Sequence, residues 1–181
     1  MTRRLLSRPA RLSRLARPVL ACAALVLAGC PLVSDQPLSD PAAARVDPAL
    51  VGAWNTKDPE TGELHTLTFL AFNEHELVAF APGISGGRVD AFRVFVTPIE
   101  GERFLNVQEL GTGSSGWFLI RYRLEADRLV LSVIDEGLFE GRPFLSPQEL
   151  AHFVSEHLAD PLLYAAAGEV REDMVWERGG D

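Results

Sequence analysis

From Leu50 onward the chain consists of short apolar or alternating segments separated by turn residues, and this pattern restricts its fold more than any other feature. The connections at 73–74, 100–101 and 126–127 are short, as in antiparallel hairpins. We therefore predict a mainly β fold, an antiparallel up-and-down barrel or strongly curved sheet of about eight strands. The predicted strands are 51–56, 64–71, 75–82, 88–98, 103–110, 116–125, 128–135 and 172–177.

The alternation also predicts which side chains face the interior, because successive side chains of a strand point to opposite faces. The inward set is Trp54, Phe69, Phe92, Val94, Val96, Leu105, Val107, Phe118, Ile120, Tyr122, Leu129, Leu131 and Val133. Nearly all of these are large and apolar, so we expect them to fill a barrel of this size. Such a barrel would enclose no long acyl chain, and a ligand would be small or would bind at the rim, near the glycine-rich loops 83–87 and 111–116.

One amphipathic helix is predicted at 147–158. Ser146 supplies an N-cap hydroxyl, Pro147 occupies the first helical position and Glu149 lies three residues after the cap. Leu150, Phe153 and Val154 fall on one side, so the helix should pack against the sheet through them.

The first 29 residues have the composition of an export signal. Six arginines occur within residues 3–17 without an acidic residue, and an uncharged stretch follows from Pro18 to Ala28. As a helix this stretch would rise only about 16 Å, roughly half the thickness of a bilayer core. It is therefore too short to be a permanent membrane span.

The segment Leu27-Ala28-Gly29-Cys30 resembles the lipobox of bacterial lipoproteins. The resemblance implies cleavage by the lipoprotein signal peptidase between Gly29 and Cys30, a diacylglyceryl group on the Cys30 thiol and further acylation that anchors the protein in a membrane. Pro31 stands where an inner-membrane retention signal has Asp, which favours the outer membrane, facing the periplasm. The alternative is an ordinary secretory signal cut after Ala21-Cys22-Ala23, which would leave an apolar region only three residues long.

Residues 30–49 are predicted to be the lipidated cysteine and a flexible tether, since they are rich in Pro, Asp, Ala and Ser without a sustained period. The barrel domain would span 50–178, and 179–181 would be a tail. Loss of the signal removes six of 17 basic residues and none of 25 acidic ones, which leaves a formal net charge of −14. Nucleic acid and anionic lipid surfaces are therefore poor partners.

Patterns typical of catalysis or cofactor binding are weak. Residues 111–116 match G-x-G-x-x-G, but a strand follows where a nucleotide site needs a helix. The helical histidines at 152 and 157 diverge by about 140°. His65 and His75 could meet across a hairpin, but the sequence identifies no third metal ligand for them. No G-x-S-x-G elbow occurs, and lipidation would consume the last thiol. We predict no cofactor, no metal and no catalytic residue, with a hydrolase using surface carboxylates as a weaker alternative.

The triplet Gly52-Ala53-Trp54 opens the first barrel strand and resembles the G-x-W signature of the calycin and lipocalin-like group. In that group the tryptophan closes the bottom of the barrel and an arginine from the last strand covers it. The resemblance implies the same role for Arg178. The other lipocalin motifs are missing, and the helix here precedes the last strand.

These features predict a membrane-anchored, non-enzymatic binding or accessory domain for an unknown small ligand. The alternative is a protein partner in the cell envelope, as in an assembly factor. Phe95, Phe104, Trp117 and Leu119 lie on the faces opposite the predicted core and would form the partner surface.

Overall fold

The computed structural model describes residues 32–59, 61–82, 89–111, 116–135, 137–139, 142–166, 169–170 and 173–180. The strands are β1 (Val33–Ser34), β2 (Gly52–Lys57), β3 (Leu64–Ala71), β4 (Leu77–Pro82), β5 (Val89–Ile99), β6 (Glu102–Glu109), β7 (Trp117–Glu125), β8 (Arg128–Val133), β9 (Ala165–Ala166), β10 (Glu169–Val170) and β11 (Met174–Arg178). Helix α1 spans Pro147–Glu156, and 3₁₀ turns occupy Pro41–Ala43, Pro48–Leu50, Gly137–Phe139 and Pro161–Tyr164.

Eight antiparallel strands close into a barrel. Strands β2 to β8 pair in sequence, and β11 returns to pair with both β8 and β2. The two-residue strand β1 pairs with the start of β7, before the part of β7 that pairs with β8. Val33 lies opposite Phe118, and Ser34 lies opposite Trp117. The prediction of a mainly β, lipocalin-like barrel with one helix is confirmed, and each predicted barrel strand lies within a few residues of an observed one.

Two of the predicted hairpins have tight two-residue turns. Glu100 and Gly101 both adopt positive φ, at 49° and 88°, between the paired residues Ile99 and Glu102. Ala126, with φ at 54°, begins the turn from β7 to β8. The turn predicted at 73–74 is longer, because β3 ends at Ala71 and β4 begins only at Leu77.

The barrel interior holds one apolar cluster, as the alternation predicted. Its buried members are Leu50, Trp54, Phe69, Leu77, Ala79, Val94, Val96, Leu105, Tyr122, Leu129 and Leu131. Phe92, Val107 and Ile120 pack against it while remaining partly exposed. Phe118 and Val133, which were predicted to be inward, are only partly buried and do not belong to it.

A second apolar cluster lies on the outside of the barrel, over β5, β6 and β7. The side chains predicted to form an open partner surface belong to it: Phe95, Phe104, Trp117 and Leu119 are 1%, 0%, 7% and 0% exposed. The expectation of an exposed patch is therefore wrong. The remainder of the chain supplies the cover, which consists of α1, the segment around Leu163 and residues near the N-terminus.

Helix α1 is held on this outer face by the predicted side chains. Leu150, Phe153 and Val154 are 0%, 6% and 0% exposed, and the Phe153 ring packs against Phe139 and Phe144. The Ser146 hydroxyl accepts a hydrogen bond from the Glu149 amide at 3.2 Å, as the capping pattern predicted. Within the described ranges no helix is long and apolar enough to span a membrane.

Residues 32–50, here called the N-terminal strap, run along the outer face and then below the barrel. Leu32, Leu38 and Ala44 are 9%, 2% and 5% exposed within the outer cluster. The Leu38 amide donates to Oδ1 of the fully buried Asn106 at 2.6 Å, and the Leu32 amide donates to the Ile134 carbonyl at 3.1 Å. The prediction of a flexible tether over 30–49 is thus wrong for residues 32–49, because they cover apolar surface that would otherwise face water.

The lower end of the barrel is closed around Trp54, which is 0% exposed and donates from Nε1 to the Leu50 carbonyl at 2.8 Å. The Arg178 guanidinium lies over its ring at 4.2 Å and donates to the Ala49 and Val51 carbonyls. A Cβ on Gly52, whose φ is +125°, would lie 3.4 Å from Arg178 Nη1. The three residues of the G-x-W resemblance thus meet at one point.

Replacing Phe153 by Ala should lower the free energy of unfolding by ~3 to 5 kcal/mol, because it removes a buried ring from the outer apolar cluster. Denaturant unfolding would measure this. Leu145→Ala is the control, since that side chain is 80% exposed and should cost less than about 0.5 kcal/mol. A loss below about 1 kcal/mol for Phe153→Ala would mean that the helix is loosely attached.

Replacing Leu38 by Ala should destabilise the protein by ~2 to 5 kcal/mol, because this side chain of the strap is buried in the outer apolar cluster. The matched control is Leu64→Ala, whose side chain is 58% exposed. Equal and small losses for the two variants would contradict the docked strap and restore the flexible tether.

Candidate functional site

Several predicted features lie outside the described residues. Gly29 and Cys30 precede Leu32, where the description begins, and loop 83–87 is also outside it. Of the loop 111–116, only Gly111 and Gly116 are described. Most of the loop residues that would line this barrel mouth are therefore outside the described part of the chain. The two described clefts lie elsewhere.

A cleft of about 380 Å³ lies on the outside of the barrel, between β7 and the segment that follows α1. We call it the arginine–tyrosine cleft. Its lining residues are Arg121, Leu158, Ala159, Asp160, Pro161, Tyr164 and Asp173. The Arg121 guanidinium lies 4.1 Å from the centre of the Tyr164 ring, a cation–π arrangement that holds the two side chains together.

Two donors of this pair have no hydrogen-bond partner. Arg121 Nε and the Tyr164 hydroxyl are both buried and unpaired within the part of the chain that the structure describes. Tyr164 is only 8% exposed. Burial raises the pKa of the Tyr164 phenol, so the hydroxyl remains protonated, and hence a hydrogen-bond donor, well above neutral pH.

The carboxylates beside these donors are already engaged. Asp173 accepts hydrogen bonds from the Ser132 hydroxyl and from Arg123 Nη2, the latter at 2.9 Å. Asp160 Oδ1 accepts from the Leu162 amide at 2.9 Å and so stabilises the 3₁₀ turn Pro161–Tyr164. Arg121 Nη2 donates a weak hydrogen bond to the Ser132 hydroxyl at 3.4 Å.

A second cleft, of about 340 Å³, lies at the base of the barrel where the strap crosses it. Its polar centre is Asp47, whose Oδ2 accepts from Arg103 Nη1 at 2.6 Å and from the Tyr122 hydroxyl at 2.9 Å. Burial and the hydrogen bond to Asp47 raise the pKa of Tyr122. Because these polar groups satisfy one another, the cluster holds the strap against the barrel and leaves little for a ligand to bind.

The histidines do not converge on a site. His65 lies within β3, whereas His75 lies in the turn beyond its far end, so the hairpin register separates the two. His75 Nδ1 contacts Arg45 Nη1 and the Ala44 carbonyl instead. Across the described residues no group of three or more His, Cys, Asp or Glu side chains is placed to hold a metal ion.

Sequence reasoning did not single out Arg121, Tyr164 or Asp173. The cleft depends on the segment 157–164 folding back over the barrel, and no local pattern specifies that path. One signal was present, since Asp160 before Pro161 repeats the Asp-Pro pairs at 40–41 and 47–48, each of which opens a 3₁₀ turn.

No protein family, no curated protein and no solved structure matches this chain.

Proposed function

We propose that this chain is a lipid-anchored protein of the bacterial cell envelope whose barrel is a non-enzymatic binding domain. Residues 1–29 would direct export, Cys30 would carry the lipid, and the mature protein would reside in the outer membrane facing the periplasm. The observation that carries the binding role is the arginine–tyrosine cleft, a surface cavity of about 380 Å³ on the outside of the barrel that Arg121 lines.

The docked strap limits how far the proposed anchor would lie from the barrel. Leu32 is buried and hydrogen-bonded to Ile134, and only one residue separates it from Cys30. An extended chain covers at most about 3.6 Å per residue, so the lipid would attach within roughly 10 Å of the folded body. The barrel would then lie close to the membrane surface.

A small ligand is favoured over a protein partner by the burial of the four predicted contact residues. With Phe95, Phe104, Trp117 and Leu119 covered by α1 and the strap, the apolar surface that suggested an assembly factor is occupied by the chain itself. The described interior is filled by large side chains, which favours a ligand bound at the surface of the barrel.

The Cys30→Ser variant should take up no fatty-acid label and should remain as the uncleaved precursor, because the thiol is the acceptor of the diacylglyceryl group. Metabolic labelling with an alkyne palmitate, followed by detergent-phase partitioning, would measure this. Cys22→Ser is the matched control and should be lipidated normally, since that cysteine lies within the signal. Mature-sized Cys30→Ser protein in the detergent phase would contradict the proposed anchor.

A fluorescent long-chain fatty acid should not bind the mature protein with micromolar affinity, because the inward side chains occupy the interior of the barrel. Titration monitored by fluorescence would test this, with serum albumin as the positive control. Saturable micromolar or tighter binding would instead make the barrel a carrier that encloses its ligand.

A further inference from the structure

We propose that the barrel stands with its mouth against a zwitterionic lipid surface, held there by the lipidated Cys30 and by apolar side chains around the rim. The mouth is the end at which β2, β4, β6 and β8 finish, and the base is the end at which they begin. The inference rests on the proposed anchor and adds to it which end of the barrel faces the membrane.

The strap enters the fold at the mouth and reaches the base at its other end. Strand β1 pairs with the first two residues of β7, and the Leu32 amide donates to the carbonyl of Ile134, just beyond the end of β8. Near the far end of the strap, the Asp47 carboxylate accepts from Arg103 at the start of β6. Because Cys30 is two positions from Leu32, its lipid would attach at the mouth.

Exposed apolar side chains are distributed around the rim of the mouth. They are Val33 on β1, Leu64 on β3, Val89 on β5, Leu110 directly after β6 and Met174 on β11. At the base, the exposed Leu70 and Phe72 belong to a single hairpin. A flat surface can cover side chains spread around one end of a barrel, whereas a peptide in a groove would reach only those on one side. The distribution therefore fits a lipid surface.

The charges at the mouth favour zwitterionic over anionic lipid. Among the described residues at this end, Glu63, Asp90 and Glu109 are acidic and Lys57 is basic. The mature chain would also carry a net charge of −14, from 11 basic and 25 acidic residues. An anionic surface would repel such a protein, whereas the burial of acyl chains and apolar side chains requires no opposite charge. Apolar contact would thus hold the mouth on the membrane.

The height of the barrel separates its two ends clearly in such an arrangement. Strand β6 has 8 residues, and at about 3.3 Å per residue and a tilt of about 40° it spans roughly 20 Å along the barrel axis. The headgroup layer of a bilayer is only about 5–8 Å thick on each side. With the mouth in this layer, the base would lie in water.

Single cysteine labels in the lipidated mature protein would test the orientation. Cys22 would leave with the signal and Cys30 would be acylated, so an introduced cysteine would carry the only fluorescent label. The variants form two pairs of matched exposure. Val89→Cys at the mouth and Phe72→Cys at the base both replace a side chain that is 69% exposed, and Leu110→Cys and Leu70→Cys replace side chains that are 51% and 49% exposed.

The labelled proteins would be inserted into the outer leaflet of preformed phosphatidylcholine vesicles and quenched with aqueous iodide. We expect iodide to quench the mouth labels about threefold or more less efficiently than the base labels, because the rim would lie among the headgroups. Replacing part of the phosphatidylcholine by phosphatidylglycerol should reduce this protection, since the acidic mouth would be repelled. Equal or greater protection on the anionic vesicles would overturn the preference for zwitterionic lipid.

Charges placed on the rim should release the mouth from the lipid. With the label at Leu64→Cys, the double variant Val89→Glu, Leu110→Glu should increase iodide quenching about twofold or more, because a carboxylate resists transfer out of water. The matched control is Leu70→Glu, Phe72→Glu at the base, which should leave the quenching of the same label unchanged. Equal effects of the two double variants would contradict the role of the rim.

Equal quenching at the two ends would overturn the orientation, and stronger protection of the base would reverse it. Protection of the mouth that increases with protein density at constant lipid would identify a second copy of this chain as the occupant and would also overturn the proposal. Palmitate labelling of Cys30 in the same samples separates this failure from failure of the anchor. Without the label both proposals fall, whereas normal lipidation with equal quenching overturns the orientation alone.

Discussion

The structure depends on the fact that strands β5, β6 and β7 are apolar on both faces. Their inward residues fill the barrel, and their outward residues include Phe95, Phe104 and Leu119. An exposed apolar face of this size is unfavourable in water, so the chain must cover it. The long excursion between β8 and β11, which carries α1, and the N-terminal strap together provide that cover.

One polar residue determines how the strap lies on this face. Asn106 is fully buried in the middle of β6, and a buried amide requires hydrogen-bond partners. It donates from Nδ2 to Thr97 Oγ1 at 2.9 Å and accepts the Leu38 amide at Oδ1. Ser39 completes the network through a 2.6 Å hydrogen bond with Thr97 Oγ1. Apolar burial thus attracts the strap, and this network fixes its position.

The barrel could be predicted from the sequence because strand alternation is a local signal. It gave the strand bounds, most of the inward residues and the helix with its Ser146 cap. The strap could not be predicted in the same way, because Pro and Asp are typical both of disordered linkers and of ordered turns. In the structure Asp40 and Asp47 cap 3₁₀ turns by accepting from the Ala42 and Ala49 amides, so these residues order the segment.

The candidate site was missed for a related reason, since Arg121 and Tyr164 are 43 positions apart and only the folded excursion brings them together. The same long-range packing that hides the predicted partner surface creates the cleft. If α1 and the segment after it were detached, part of the outer face of β5 to β7 would be open and the arginine–tyrosine cleft would not exist. The cover of the barrel and the proposed binding site are therefore parts of one arrangement.

Amide hydrogen exchange of the strap in the mature protein tests this arrangement most directly. The account predicts that the amides of Leu32, Leu38 and Val46, which donate to Ile134, Asn106 and Glu74, exchange on the order of a thousandfold or more slowly than in an unstructured chain. Exchange of these three amides at unstructured rates, while the barrel strands stay protected, would contradict it and leave the outer face of the barrel uncovered.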